Sequence, residues 1–161
     1  MVTIATTGHM DLTGDTAVLV RRALDGLLAA YRGELVGLSC IAEGADALFA
    51  EAVLAAGGRL VAVIPSRDYR TAVVGAAHAE TFDRLVEAAS EVLVLPYERA
   101  GRAAYEAANA ELLGKAERLV AVWDGSPPTG KGGGTADVVE DAHKLGIPVE
   151  VVWPHGAARG R

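Results

Sequence analysis

"RLVAVWDGSPPTGKGGGTADVVEDAHKLGIPVEVVWP", residues 118–154, decides how this chain folds. It opens on an apolar, Val-rich run, 118–125, with no period-two alternation. A strand that is apolar on both sides is covered on both faces, the condition of a parallel sheet. The run closes on Asp124 and Gly125, a pairing that favours a turn. Three consecutive glycines, Gly132, Gly133 and Gly134, then lead into a segment of helical period, and a second apolar run follows at 147–154. Strand, loop, helix and strand in this order form a βαβ unit with a right-handed crossover.

The same alternation extends back to the first residue. Apolar runs at 2–7, 34–41, 59–65 and 91–96 read as strands. Helical periods fill 14–31, 45–56, about 76–90 and 103–115, with a less regular stretch up to Gly75. In the first helix the apolar side is read as Val18, Leu19, Ala23, Leu27, Leu28 and Tyr31, with Asp11 and Asp15 near its positive end. Gly57 and Gly58 read as a helix stop. Six buried parallel strands with intervening helices predict a single α/β domain, a doubly wound, mostly parallel, Rossmann-like sheet with helices on both faces. Residues 1–154 form this domain, and 155–161 read as a flexible tail.

In such a sheet, ligands bind beyond the carboxyl ends of the strands. The strand-exit loops are rich in small, polar and charged residues, and the opposite edge carries short turns. The glycine run gains its meaning here. A helix N-terminus has backbone N–H groups without intrahelical acceptors and a partial positive charge. Glycines let an anion approach that backbone closely. Gly132, Gly133 and Gly134 with the Thr135 hydroxyl and the Lys131 ammonium therefore read as a phosphate seat. Charge-assisted hydrogen bonds contribute roughly 1.5–3 kcal/mol each. Micromolar affinity corresponds to about −8.2 kcal/mol, so contacts to sugar and base are implied as well. The loop is neither a GxxxxGK[ST] phosphate loop nor a GxGxxG fingerprint on the first strand.

Further candidates lie on the other exit loops. Gly8 and His9 leave the first strand, where a phosphate or base would sit above them. Gly44 and Asp46 begin the second helix, and Asp46 is read as a ribose ligand, a base or a helix cap; Glu43 is a weaker candidate. Arg67 can pair bidentately with phosphate and Tyr69 can stack on a base. Asp124 and Gly125 face the glycine loop, and Asp124 would orient a ribose or Lys131. Tyr105 and Asn109 share a helix face. Trp123 and Trp153 are read as core rings or as the lining of a base pocket.

Composition narrows the classes. A formal net charge of −6 argues against binding bulk nucleic acid, which needs a broad basic surface. Cys40 is the single cysteine and reads as a buried, reduced thiol. Met1 leads directly into a strand-like run, and no apolar stretch suggests a membrane span, so a soluble cytoplasmic protein with no membrane partner is expected. His9, His78, His143 and His155 are scattered without metal-ligand spacing. No metal and no further cofactor is expected.

"TGHMDL" (7–12), "AEGADALFAEAVLAAGG" (42–58), "YEAANAELL" (105–113) and "GKGGGTADVVEDAHKLGIPV" (130–149) occur in order along nearly the whole chain. Together they resemble the SLOG superfamily of Rossmann-like nucleotide-binding proteins. That group includes the LONELY GUY phosphoribohydrolases, the molybdenum-cofactor carriers and the core of DNA-processing protein A. The resemblance implies a small-molecule nucleotide as ligand and allows a homodimer. It also implies two alternatives, cleavage of the N-glycosidic bond of a nucleoside monophosphate, or carriage of a pterin-type cofactor. The last motif is similar to "PGGxGTxxE", but Val138 stands at the catalytic glutamate position. Asp137 and Glu140, with Asp46, are the candidate catalytic carboxylates. On a helix, Asp137 and Glu140 are turned about 100° and 200° away from that position. The resemblance therefore implies binding more strongly than cleavage.

Overall fold

The computed structural model describes residues 1–130 and 134–160. Lys131, Gly132 and Gly133, the centre of the expected phosphate seat, lie outside the described residues. Six strands form one parallel sheet: β1 (Val2–Gly8), β2 (Leu35–Ser39), β3 (Arg59–Ile64), β4 (Glu91–Val94), β5 (Arg118–Val122) and β6 (Val149–Val151). Their order is β4-β3-β2-β1-β5-β6, with every pairing parallel. The helices are α1 (Gly14–Leu28), α2 (Ala45–Ala55), α3 (Tyr69–Ala72), α4 (Ala76–Ala88), α5 (Arg102–Lys115) and α6 (Thr135–Lys144). The expected doubly wound α/β architecture is what forms.

The pleat explains the two layers. In β1, Ile4 joins a core with Val20, Leu24 and Leu28 of α1 and Phe49 and Val53 of α2. Its neighbour Ala5 points to the other face, with Ala108 and Leu112 of α5 and Val138 and Ala142 of α6. In β5, Val120 and Val122 face α1 and α2, whereas Leu119 and Ala121 face α5 and α6. The central strands are therefore apolar at successive positions, because both faces are buried. The edge strands depart from that expectation. Val92 and Val94 of β4 and Val151 of β6 are exposed, because the helical layers leave one face of these edge strands uncovered.

Two local readings are corrected. The row that α1 buries is Thr16, Val20, Leu24 and Leu28, spaced strictly by four, and Val18 is exposed. Thr13 caps this helix by accepting from the Thr16 amide at 3.2 Å. Its regular part ends at Leu28, and Ala29–Tyr31 is a turn of 3-10 helix. The irregular stretch before Gly75 contains α3, held because the buried Tyr69 packs against Phe82.

The last described residues are hydrogen-bonded to the start of the chain. Leu12 and Arg159 form an antiparallel bridge. The Thr13 amide donates to the Ala158 carbonyl at 3.3 Å, and the Ala158 amide donates to Thr16 Oγ1 at 2.8 Å. Backbone hydrogen bonds thus hold residues 158–160 against the loop that joins β1 to α1.

Candidate functional site

Strand order reverses its direction of growth between β1 and β5. The loop leaving β1 goes to α1 on one face, and the loop leaving β5 goes to α6 on the other. The two diverge and leave a crevice at the carboxyl edge, as topological switch points do. A cavity of about 480 Å³ lies there, within the usual range for small-molecule sites.

The floor is the end of β1, Thr6 to Gly8, with Cys40 and Asp46 from the β2–α2 region. Gly8 is there because nothing larger fits. A Cβ on it would lie 2.4 Å from Ala45 Cβ and 2.9 Å from the Val122 carbonyl oxygen. Its role is close packing of β1 against α2 and β5, rather than exposure of backbone to a ligand. Gly44 does not line the cavity. It has φ +86°, and a Cβ on it would approach the His9 and Met10 carbonyl oxygens at 2.7 Å. It lets the start of α2 lie against the loop leaving β1, and the Ala45 amide donates to the His9 carbonyl at 3.1 Å.

Asp46 is half-buried on this floor, in the first turn of α2. The packed interior behind it disfavours the charged form. Burial pushes its carboxyl up to about 7, against the pull of a 3.4 Å hydrogen bond from the Ala42 amide. The segment before it is unusually bent. Ile41 has φ +59°, which is costly for a β-branched residue. Two buried polar groups hold it there: its amide donates to Ser39 Oγ at 3.0 Å, and its carbonyl lies 3.0 Å from His78 Nε2. The Ser39 hydroxyl in turn donates to the Asp46 carbonyl at 3.0 Å. Burial also pushes the neighbouring Cys40 thiol well above its ordinary range, so it is protonated at neutral pH.

One wall is apolar and aromatic: Tyr69 and Val73 from α3 and its end, Tyr105, Ala108 and Leu112 from α5, and Trp123 after β5. The Trp123 indole donates to the Ser126 carbonyl at 3.0 Å, which fixes the ring over the loop. The facing wall is the loop 126–129 with Gly134, Thr135, Ala136 and Asp137 at the start of α6. The Gly134 amide already has an acceptor, Asp137 Oδ2 at 3.1 Å. The helix therefore supplies its own carboxylate at the first amide. Thr135 and Ala136 are in the first turn, where amides have no intrahelical acceptor.

His9 is buried, with its ring edge-on to Trp153 at 5.6 Å between centroids. Its Nε2 accepts from the Asp124 amide at 3.1 Å and lies 3.1 Å from Asp124 Oδ1. The ring thus ties the loop after β1 to the loop after β5. Asp124 does not line the cavity. Its carboxyl is held down at about 2 by hydrogen bonds from Ser126, against the opposing effect of burial and with help from His9. Gly125 turns that loop with φ +86° and lies outside the cavity.

The other expected residues are elsewhere. Arg67 is exposed and ion-paired with Glu98, away from the cavity wall. Glu140 is exposed on α6 and lies 3.7 Å from Lys144. Val138, between the two candidate carboxylates, is 1% exposed in the α5–α6 core. That register sends position 138 into the sheet and position 140 to solvent. Of the candidate carboxylates, the cavity collects Asp46 and Asp137. It also collects Asp11 and Arg159, which were not singled out as ligands in the sequence. Among the described residues no cluster of His, Cys, Asp and Glu could hold a metal ion. No helix among them is long and apolar enough to cross a membrane.

The fold is shared with solved structures. DNA processing protein A from Streptococcus pneumoniae matches with a TM-score of 0.68 at 20% identity, over 97% of this chain and 52% of that one. A structure of DNA processing protein A from Helicobacter pylori, described for its single-stranded DNA binding mode, matches with 0.69 at 15% identity, over 99% and 69%. The molybdenum cofactor binding protein from the phototrophic bacterium Rippkaea orientalis matches with 0.61 at 17% identity, over 95% and 77%. This chain thus spans about half the length of the Streptococcus protein. The likeness is one of fold, a parallel Rossmann-like sheet covered by helices. No family model and no curated protein matches the sequence.

Proposed function

We propose that the switch-point cavity binds a nucleotide or nucleoside phosphate, with the phosphate toward the start of α6 and the base along the aromatic wall. The observation that carries the reading is the cavity's two-sided chemistry. Thr135 and Ala136 of the first turn of α6 line it together with Tyr69, Tyr105, Leu112 and Trp123. Polar N–H groups at a helix start suit an anion. An aromatic and aliphatic wall suits a flat heterocycle. Asp46 lies between them on the floor and fits a ribose hydroxyl, as donor when protonated or acceptor when ionised.

Asp137 tempers the first contact. Its carboxylate already satisfies the Gly134 amide, so an incoming phosphate meets a negative charge and must rely on the next amides and a cation. The cavity's shape and lining are equally compatible with a flat pterin carrying a phosphate, and the fold shared with the Rippkaea protein favours that second reading. Single-stranded DNA, named for the Helicobacter protein, is a poorer fit to a chain of net charge −6. Cleavage of a glycosidic bond would fall to Asp46, the one candidate carboxyl whose proton affinity is tuned near neutrality. Val138 in the core argues against the phosphoribohydrolase arrangement.

Thermal melting against a panel of nucleotides and a pterin phosphate, followed by chromatography for free base, separates these readings. A melting shift with intact nucleotide supports binding, and released base supports cleavage. A shift with the pterin phosphate alone supports the carrier, and no shift with any of them defeats the ligand reading.

A further inference from the structure

The cavity contains an electrostatic imbalance. Its described lining includes three acidic side chains, Asp11, Asp46 and Asp137, of which Asp46 is partly protonated at neutral pH. Among the described lining residues, Arg159 is the one side chain that is always cationic. An anionic ligand entering such a site needs a positive partner.

Arg159 is held in place by its backbone, independently of its side chain. Residue 159 bridges to Leu12, the Ala158 amide donates to Thr16 Oγ1 at 2.8 Å, and the Gly160 amide donates to the Asp11 carbonyl. Thr16 is fully buried, so its hydroxyl is a fixed anchor. From this position Nε of Arg159 donates to Asp11 Oδ1 at 2.9 Å, and Nη1 lies 3.8 Å from Asp124 Oδ2. Those carboxylates belong to the loops leaving β1 and β5, so the guanidinium stands at the switch point itself. A guanidinium has five N–H donors, and these two pairings leave others. Burial pushes the Asp11 carboxyl up, but the hydrogen bond from Arg159, a backbone hydrogen bond and the charges of Arg159 and His9 together outweigh it, and its pKa lies below the ordinary value. The clamp is therefore charged at neutral pH.

We infer that Arg159 is a specificity-determining ligand residue: its guanidinium, presented across the cavity mouth by residues 158–160, contacts the phosphate of the bound nucleotide and selects phosphorylated over unphosphorylated ligands. The inference rests on the nucleotide reading above and adds to it a residue distant in sequence from every strand-exit motif. Asp11 and Asp124 orient the guanidinium when no ligand is bound, and the phosphate shares it with them on binding.

The test is titration calorimetry of the full chain with the four nucleoside 5′-monophosphates and the four corresponding nucleosides. For wild type, the monophosphates bind more tightly than the nucleosides. Arg159→Gln weakens monophosphate binding about tenfold or more, as loss of a charge-assisted contact requires. It leaves nucleoside binding unchanged, and Arg159→Lys recovers part of the loss. Melting temperatures of both variants close to wild type show that the effect is not unfolding. If Arg159→Gln changes neither ligand, or weakens both equally, or if Arg159→Lys behaves as Arg159→Gln with respect to both, the inference is overturned while the nucleotide reading stands. If wild type binds no monophosphate, the nucleotide reading itself fails and this inference falls with it.

Discussion

Asp46→Asn isolates the most perturbed carboxyl of the cavity floor. Asp46 has its carboxyl raised from 3.8 to about 7 in the folded chain, chiefly by burial. Below about pH 4 the group is protonated both folded and unfolded, and it does not oppose folding. As the pH rises, the unfolded chain ionises first and gains stability relative to the folded one. The loss for the folded state grows until the pH has passed about 7 and then levels off. At about 1.4 kcal/mol for each tenfold difference in proton affinity, the full loss is about 4 kcal/mol. Asn has nearly the same shape, still accepts from the Ala42 amide, and does not titrate. Urea unfolding followed by tryptophan fluorescence, at a series of pH values from 4 to 9, gives the difference between variant and wild type. Asp11, Asp83 and Asp124 have lowered pKa values and titrate alike in both proteins, so they cancel in that difference. The variant gains on wild type steadily from pH 4 to 8, approaching about 4 kcal/mol as an upper value. Parallel curves over the whole range would refute the claim that burial raises the proton affinity of this carboxyl.

Three further outcomes follow from the same geometry. Gly8→Ala forces a Cβ to within 2.4 Å of Ala45 Cβ and destabilises the fold by about 1–3 kcal/mol, read as a lower urea midpoint with unchanged m value. Asp137→Ala removes the acceptor of the Gly134 amide; stability falls by about 1 kcal/mol, while affinity for a nucleoside monophosphate rises because a negative charge has left the seat. Cys40, buried and with its thiol pushed up, reacts with an aromatic disulfide reagent at pH 8 far more slowly in the folded chain than in urea; equal rates would contradict the packing of the floor.

The fold was legible because its signals are local and repeated. Apolar runs without alternation announced β1, β2, β3 and β5, and both faces of each are covered. The edges were less legible, since a Val-rich run such as Glu91–Val94 reads alike whether one face is covered or two. In α1 the many apolar residues allowed several stripes. The buried row is chosen by the neighbouring layer, and it admits Thr16 because the hydroxyl has partners in Thr13 and Ala158. The lining of the cavity was legible where it depends on strand exits: Gly8, His9, Asp46, Gly134, Thr135 and Asp137 all line it. Residue type alone could not distinguish a ligand position from a brace, and His9 and Asp124 are tied to each other. Arg67 and Glu140 were drawn from loops and helix turns that face solvent. Arg159 was missed because its placement depends on a bridge to Leu12, far away in the sequence.

The central claim, that the switch-point cavity seats a phosphate-bearing heterocycle at the start of α6, is most directly tested by amide NMR. On addition of a nucleoside monophosphate, the account predicts the largest shift changes at the Thr135 and Ala136 amides and at the Trp123 indole, with Val92 and Val94 on the far edge unmoved. Saturable shifts confined to other surfaces, or none at millimolar nucleotide, would contradict it.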